Sequence, residues 1–338
     1  MTATRPTVSA GRRLGAVALA TVAGVGVATQ SRINGELGVR LGDGLAAAVI
    51  SFGSGLVLLL VLVPATAAGR RGLATLRTAL SRGTLRPWQC LGGACGAFLV
   101  FSQGVTVGTL GVAVFTVAIV AGQSASSLLV DRAGIGPGGR RPVTVARLAG
   151  AVLTVVAVLV AVGDRIGQPA ILGLAVLPLL AGVAVAWQQA VNGWVRVASD
   201  STLTATLVNF AVGTAVLLAA FVVSLAFRGL PPGGLPSDVW LYLGGPVGVT
   251  FIAVAAAVVR LTGVLLLGLA TVSGQVVGAA LLDLLLPAAA RPDGTTLLGV
   301  VLTLAAVAIA TLGGRVRAWS SRTRSGTARR GRTGVDGR

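Results

Sequence analysis

Three observations predict an all-α integral membrane protein of ten transmembrane helices, arranged as two inverted five-helix repeats. The 338-residue chain is 54% apolar and only 11% charged. Its apolar runs are longer than any soluble core requires, and residues of its first half recur at fixed spacing in its second. A helix of about 20 apolar residues crosses the roughly 30 Å hydrocarbon core of a bilayer, and ten such stretches lie between Leu14 and Gly313.

The first span, 14–30, runs into Gln30, Asn34 and Gly35, and the second, 45–67, into a joint holding Arg70, Arg71, Arg77, Arg82 and Arg86. The third, 88–107, carries Gly92, Gly93 and Gly96 near its start, and the fourth, 110–130, carries Gly122 and Gln123 and ends at Asp131. A joint with Arg132, Arg140, Arg141 and Arg147 leads into the fifth, 146–163. The sixth, 170–190, again runs into a glutamine, an asparagine and a glycine, here Gln188, Asn192 and Gly193, and the seventh is 203–227. The eighth, 239–259, holds Gly244, Gly245 and Gly248; the ninth, 262–286, holds Gly274, Gln275 and Asp283; the tenth is 295–313.

Gln30, Asn34, Gly35, Phe52 and Gly55 thus return as Gln188, Asn192, Gly193, Phe210 and Gly213, each displaced by 158 positions. Gly92, Gly93, Gly96, Gly122, Gln123 and Asp131 return as Gly244, Gly245, Gly248, Gly274, Gln275 and Asp283, each displaced by 152. The chain divides accordingly into an N-terminal segment 1–13, a first unit 14–163, a second unit 164–313 and a basic tail 314–338. Five helices is an odd number, so the second unit enters the membrane from the opposite side and a pseudo-twofold axis lies in the membrane plane.

The charges agree with this arrangement. The formal net charge is +18 and every basic residue is an arginine. With a cytoplasmic amino terminus, 22 arginines fall in inward segments and 5 in outward ones, which is the positive-inside bias and places both termini in the cytoplasm. Homologous joints carry opposite bias, as opposite sidedness demands. The tail holds eight arginines among Gly, Ser and Thr and reads as solvated and disordered, able to touch anionic lipid. It offers neither a fold nor aromatic interleaving for nucleic acid. Arg12 and Arg13 before an apolar run imitate a twin-arginine signal peptide, but the first span is the counterpart of the internal sixth and is expected to stay. Cys90 and Cys95, five apart on one helix, read as packing residues.

The runs VATQSRINGELG and AWQQAVNGWV, the GGxxG starts of the third and eighth spans, and the ends GQSASSLLVD and GQVVGAALLD resemble the YdcZ-like branch of the drug/metabolite transporter superfamily over roughly residues 14–313. That resemblance implies a ten-helix inverted-repeat transporter of the bacterial cytoplasmic membrane. Small multidrug-resistance relatives in the superfamily carry a glutamate in the middle of their first helix, and this first span has no acid there.

Gln30 with Asn34, and Gln188 with Asn192, stand four apart and share a helix face. Uncharged amides suit a transport site, since they bind a polar solute without burying an ion. The alternative for each Asn-Gly pair is a helix stop with a left-handed glycine. Gln123, Ser127 and Asp131 form one polar stripe, matched by Gln275, Ala279 and Asp283. The glutamines either line a central cavity or bridge helices. Asp131 and Asp283 end their helices against the dipole and call for partners, Arg132 or Arg147 for the first and Arg291 for the second, as gates or as fixed ion pairs. Gly92 with Gly96, Gly104 with Gly108, Gly244 with Gly248, and Gly274 with Gly278 are small-xxx-small pairs that let helices approach. Pro246 reads as a kink in the eighth span. Trp88, Trp194, Trp240 and Trp319 suit the bilayer interface, and Trp187 a place near the cavity.

With no histidine and no GxSxG or HExxH run, Ser-His and His-rich metal chemistry are excluded and no cofactor is called for. The expectation is a secondary transporter, in the exporting direction, of a small metabolite or drug-like solute by alternating access. A channel-like or structural membrane protein, or an intramembrane enzyme built on carboxylates, is the competing class. The expected partners are the solute and the lipid bilayer, not nucleic acid, and a homodimer is compatible with the sequence.

Overall fold

The computed structural model describes residues 10–140, 142–163, 169–286 and 292–310, and these contain helices and no strands. The helices are α1 (Ala10–Leu41), α2 (Gly44–Ala65), α3 (Ala67–Ser81), α4 (Gly92–Leu110), α5 (Val112–Ala133), α6 (Val145–Ala161), α7 (Pro169–Ser199), α8 (Thr202–Arg228), α9 (Gly244–Leu285) and α10 (Gly294–Ala310). Among the described residues, six segments are long and apolar enough to cross a membrane: Leu14–Leu41, Gly44–Ala65, Pro87–Leu110, Val112–Ala133, Pro169–Ser199 and Thr202–Arg228. Val145–Ala161, Ala270–Leu285 and Gly294–Ala310 are shorter apolar helices. Residues 1–9 and the basic tail 314–338 lie outside the described residues.

α9 is not a straight rod. Gly24 and Gly26, neighbours on α1, face Thr271 and Val247 of α9. At 1.5 Å rise per residue a straight helix would hold those two residues about 36 Å apart. Val254 and Ala270 also share one patch of α1, packing with Ala16, Val17 and Ala20. The direction of α9 therefore reverses, and its arms from Gly244 to Val254 and from Ala270 to Leu285 occupy the eighth and ninth predicted spans.

Three local expectations change. The Asn-Gly pairs do not stop their helices: α1 runs through Gly35 to Leu41 and α7 through Gly193 to Ser199. Gly35 is used instead for close approach, since a Cβ there would overlap Val107 of α4. The left-handed glycine that follows α1 is Gly42, with φ of 62°. Pro246 is the third residue of α9, where its missing N–H has no helical acceptor to lose, so it starts the helix rather than kinking it. The arginine-rich joint after the second span is itself a helix, α3, with Gly69, Gly72, Leu76 and Ala79 buried on one side. Arg70, Arg71 and Arg77 are exposed. Gly72 sits against Ser201 and Thr204, so α3 braces the α7–α8 corner.

Between lipid-facing helices no hydrophobic effect drives association, and tight packing does that work. Here the tightest approaches come in exchanged pairs. A Cβ at Gly93 would meet the Asn209 carbonyl and the Gly213 nitrogen; at Gly245 it would meet the Ser51 carbonyl and the Gly55 nitrogen. Gly182 abuts Ile119 and Gln123, while Gly24 abuts Thr271 and Gln275. Gly150 meets Ala306 and Ala310, while Gly299 meets Ala157 and Ala161. Phe52 and Phe210 stack on each other with centroids 4.9 Å apart and planes inclined by 31°, Gly55 lying against Phe210 and Gly213 against Phe52. Each of these contacts is met again with the halves swapped.

Gly93→Ala forces the α4 and α8 backbones apart, an overpacking that costs about 1–3 kcal/mol. Gly53→Ala, with nothing within 4 Å of the added carbon, is expected to be silent. Thermal unfolding of the purified variants in detergent measures the difference, and equal midpoints would disprove the close approach.

Candidate functional site

Gln188 and Asn192 lie one turn apart on α7, and both carboxamides donate to the Asn209 Oδ1 of α8 at 2.9 Å. Asn209 is 5% exposed. The shared acceptor holds three amides in one cluster beside Gly96 of α4, whose missing side chain leaves room for the Gln188 carboxamide and the edge of Phe52. On the other side Gly248 likewise makes room for the carboxamide of Gln30. These groups border a cavity of about 570 Å³, with Gln30 and Val27 from α1, Phe52 from α2, Leu99 and Val100 from α4, and Phe251 and Ile252 from α9. Gln188, Asn192 and Arg196 of α7 and Thr202, Thr206 and Asn209 of α8 add polar groups to the lining, and Phe210 of α8 a second aromatic ring beside Phe52. The lining is mostly apolar with a few convergent hydrogen-bonding groups, the usual character of a small-molecule site.

Gly38 and Gly44 lie directly on Gly104 of α4, and the three glycines, with Asp43, Phe101 and Arg228, line a second cavity of about 490 Å³ at the α1–α2 corner. The residues displaced from Gly38 and Gly44 by 158 positions are Arg196 and Thr202, and these line the first cavity.

Asn34, predicted alongside Gln30, does not reach the cavity. It is 0% exposed and donates to Gln103 Oε1 at 2.6 Å, while Gln103 Nε2 donates to the Ser31 hydroxyl at 2.9 Å. The position corresponding to Asn209 is Ser51 in the first half, too short to reach Asn34, so Gln103 of α4 takes that place. Gln123 and Gln275 stand where α5 crosses α7 at Gly182 and where α9 crosses α1 at Gly24, outside the cavity lining. Trp187 pairs with Trp88 at a centroid separation of 6.4 Å rather than facing the cavity, and the Trp194 indole donates to the Ile135 carbonyl at 2.7 Å.

The two aspartates have different partners. Asp131 bonds Arg147 at 2.6 Å, both half-buried. Asp283 is 4% exposed and accepts the backbone N–H groups of Val112 at 3.0 Å and Ala113 at 2.7 Å. It thereby caps α5, a position where the helix dipole favours a carboxylate. Gly111, with φ of 81°, has no side chain to block it. Arg291, the partner expected for Asp283, lies outside the described residues.

Asn209 and Gln103 escaped the repeat comparison because their counterparts are Ser51 and Ala255, and only identities stand out at a fixed offset. Gln103→Leu strands the Asn34 amide in a dry interior and is expected to cost about 1–3 kcal/mol. Asn192→Ala, beside the cavity, costs less because water can replace the lost partner. Denaturation midpoints of the two variants decide this, and the reverse order would refute the assignment of buried and open sides.

The family described as "Putative inner membrane exporter, YdcZ" matches residues 15–160 and again 173–309. No curated protein matches the chain. A solved structure described only as "Crystal structure of protein" is 20% identical, with a TM-score of 0.49 over 90% of this chain and 98% of that one. The chain belongs to the YdcZ-like family of the drug/metabolite transporter superfamily, and is a multi-pass inner-membrane protein of the transporter class.

Proposed function

We propose that the protein exports a small, modestly polar solute by alternating access between two inverted five-helix units, 14–163 and 164–313, with both termini cytoplasmic. The observation that carries this reading is the exchange of contacts at the centre. Gly92 and Gly96 of the first unit lie over Asn192 and Gln188 of the second, while Gly244 and Gly248 of the second lie over Asn34 and Gln30 of the first. Two copies of one packing, swapped across the Phe52–Phe210 stack, give a bundle two near-equivalent arrangements that open to opposite sides. The family match over both halves supports the same reading.

In this scheme Gln30, Gln188, Asn192 and Asn209 contact the solute, and the corner of Gly38, Gly44 and Gly104 is at the periplasmic side. Gln123 and Gln275 act at the helix crossings, and Asn34 joins the site when the periplasmic side opens. Asp283 latches that side by capping α5. The offset of 152 maps Val112 and Ala113 onto Val264 and Leu265, so Asp131 is the matching latch, released to Arg147 while the cavity faces inward. Nothing in this scheme requires a bond-making step, and the lining offers amides and hydroxyls rather than a nucleophile with its base.

Counterflow by reconstituted protein, screened across metabolites and lipophilic drugs, tests the proposal. Gln188→Ala is expected to cut the rate at least tenfold while abundance stays normal, and Asp283→Asn and Asp131→Asn to slow exchange. Single-channel conductance in place of saturable counterflow would favour the channel reading. A periplasmic phosphatase active at Arg338 would reverse the orientation.

A further inference from the structure

Arg196 is the charged residue of the cavity lining, which contains no aspartate or glutamate. It stands eight residues beyond Gln188 and four beyond Asn192 on α7, so the three share one face and Arg196 lies about 12 Å along the helix from the Gln188 level. Arg196 is exposed, and among the described residues it makes no ion pair: Asp200, four residues on and also exposed, does not bridge to it. The same lining carries the apolar rings of Phe52, Phe210 and Phe251, and the edge of Phe52 lies by the Gln188 carboxamide at Gly96.

We infer that the solute is an amphipathic organic anion, with its carboxylate or similar monoanionic head on Arg196 and its apolar body on the phenylalanines. This deepens the transport reading above and rests on it. A lipophilic cation entering the same space would meet a like charge at Arg196 and no carboxylate anywhere in the lining, so its charge would go unpaired. An anion gains a charge-assisted pair with a guanidinium that makes no ion pair of its own, a modest gain at a solvent-exposed arginine. The amide cluster then reads the uncharged polar atoms between head and body. The roughly 12 Å from amides to arginine selects a head and body separated by a short spacer.

Three probes of one shape separate the possibilities: 4-phenylbutyrate, 4-phenylbutanol and 4-phenylbutylammonium. Binding is read by tryptophan fluorescence and by thermal stabilisation of the full chain in detergent, and transport by counterflow in proteoliposomes. Phenylbutyrate is expected to bind best and the ammonium worst. Arg196→Gln should weaken phenylbutyrate about tenfold and leave phenylbutanol unchanged, while Arg196→Lys should retain most of the preference with an unaltered unfolding midpoint. Ammonium binding equal to that of the carboxylate, carboxylate affinity indifferent to Arg196→Gln, or binding of none of the three overturns the inference. If phenylbutyrate binding depends on Arg196 but neither its binding nor its counterflow responds to Gln188→Ala, the amide site of the proposed function fails while the anion preference stands.

Discussion

The structure depends on backbone touching backbone. In a lipid environment apolar side chains gain nothing by leaving the solvent, so helices hold together where their main chains approach closely enough for dispersion and weak polar contacts to accumulate. Gly24, Gly93, Gly182 and Gly245 supply those approaches across the boundary between the halves. Everything polar is then arranged in the space they leave. The Gln188 carboxamide can sit beside α4 because Gly96 has no side chain, and Asp283 can cap α5 because Gly111 has none.

Much of this was legible in the sequence. The offsets of 158 and 152 matched glycines and phenylalanines that make equivalent contacts, though not Asn34 with Asn192 or Asp131 with Asp283. Hydropathy located the membrane-crossing segments to within a few residues at most ends, but it could not see α3. That helix is only 15 residues long and carries arginines on a face that hydropathy averages with its buried one. The Asn-Gly pairs misled for a related reason. A glycine after an asparagine reads as a cap in isolation, whereas Gly35 is needed mid-helix to admit Val107.

The candidate site was half visible. Identity at a fixed offset found Gln30, Gln188 and Asn192, yet it also brought in Asn34, which is fully buried, and passed over Asn209, on which the whole cluster converges. A repeat comparison reports what two halves share and is silent where they differ. Gly38 against Arg196 and Gly44 against Thr202 are such differences.

Those differences have a thermodynamic meaning under the two-unit arrangement. A symmetric dimer of one unit would be indifferent between its two openings, each populated equally by necessity. A single chain carrying two copies is free of that constraint, because corresponding positions can hold different residues. Under the proposed alternating access, each difference of about 1.4 kcal/mol between the two openings would bias the resting population about tenfold. Such a chain can set, residue by residue, which side of the membrane it would wait on.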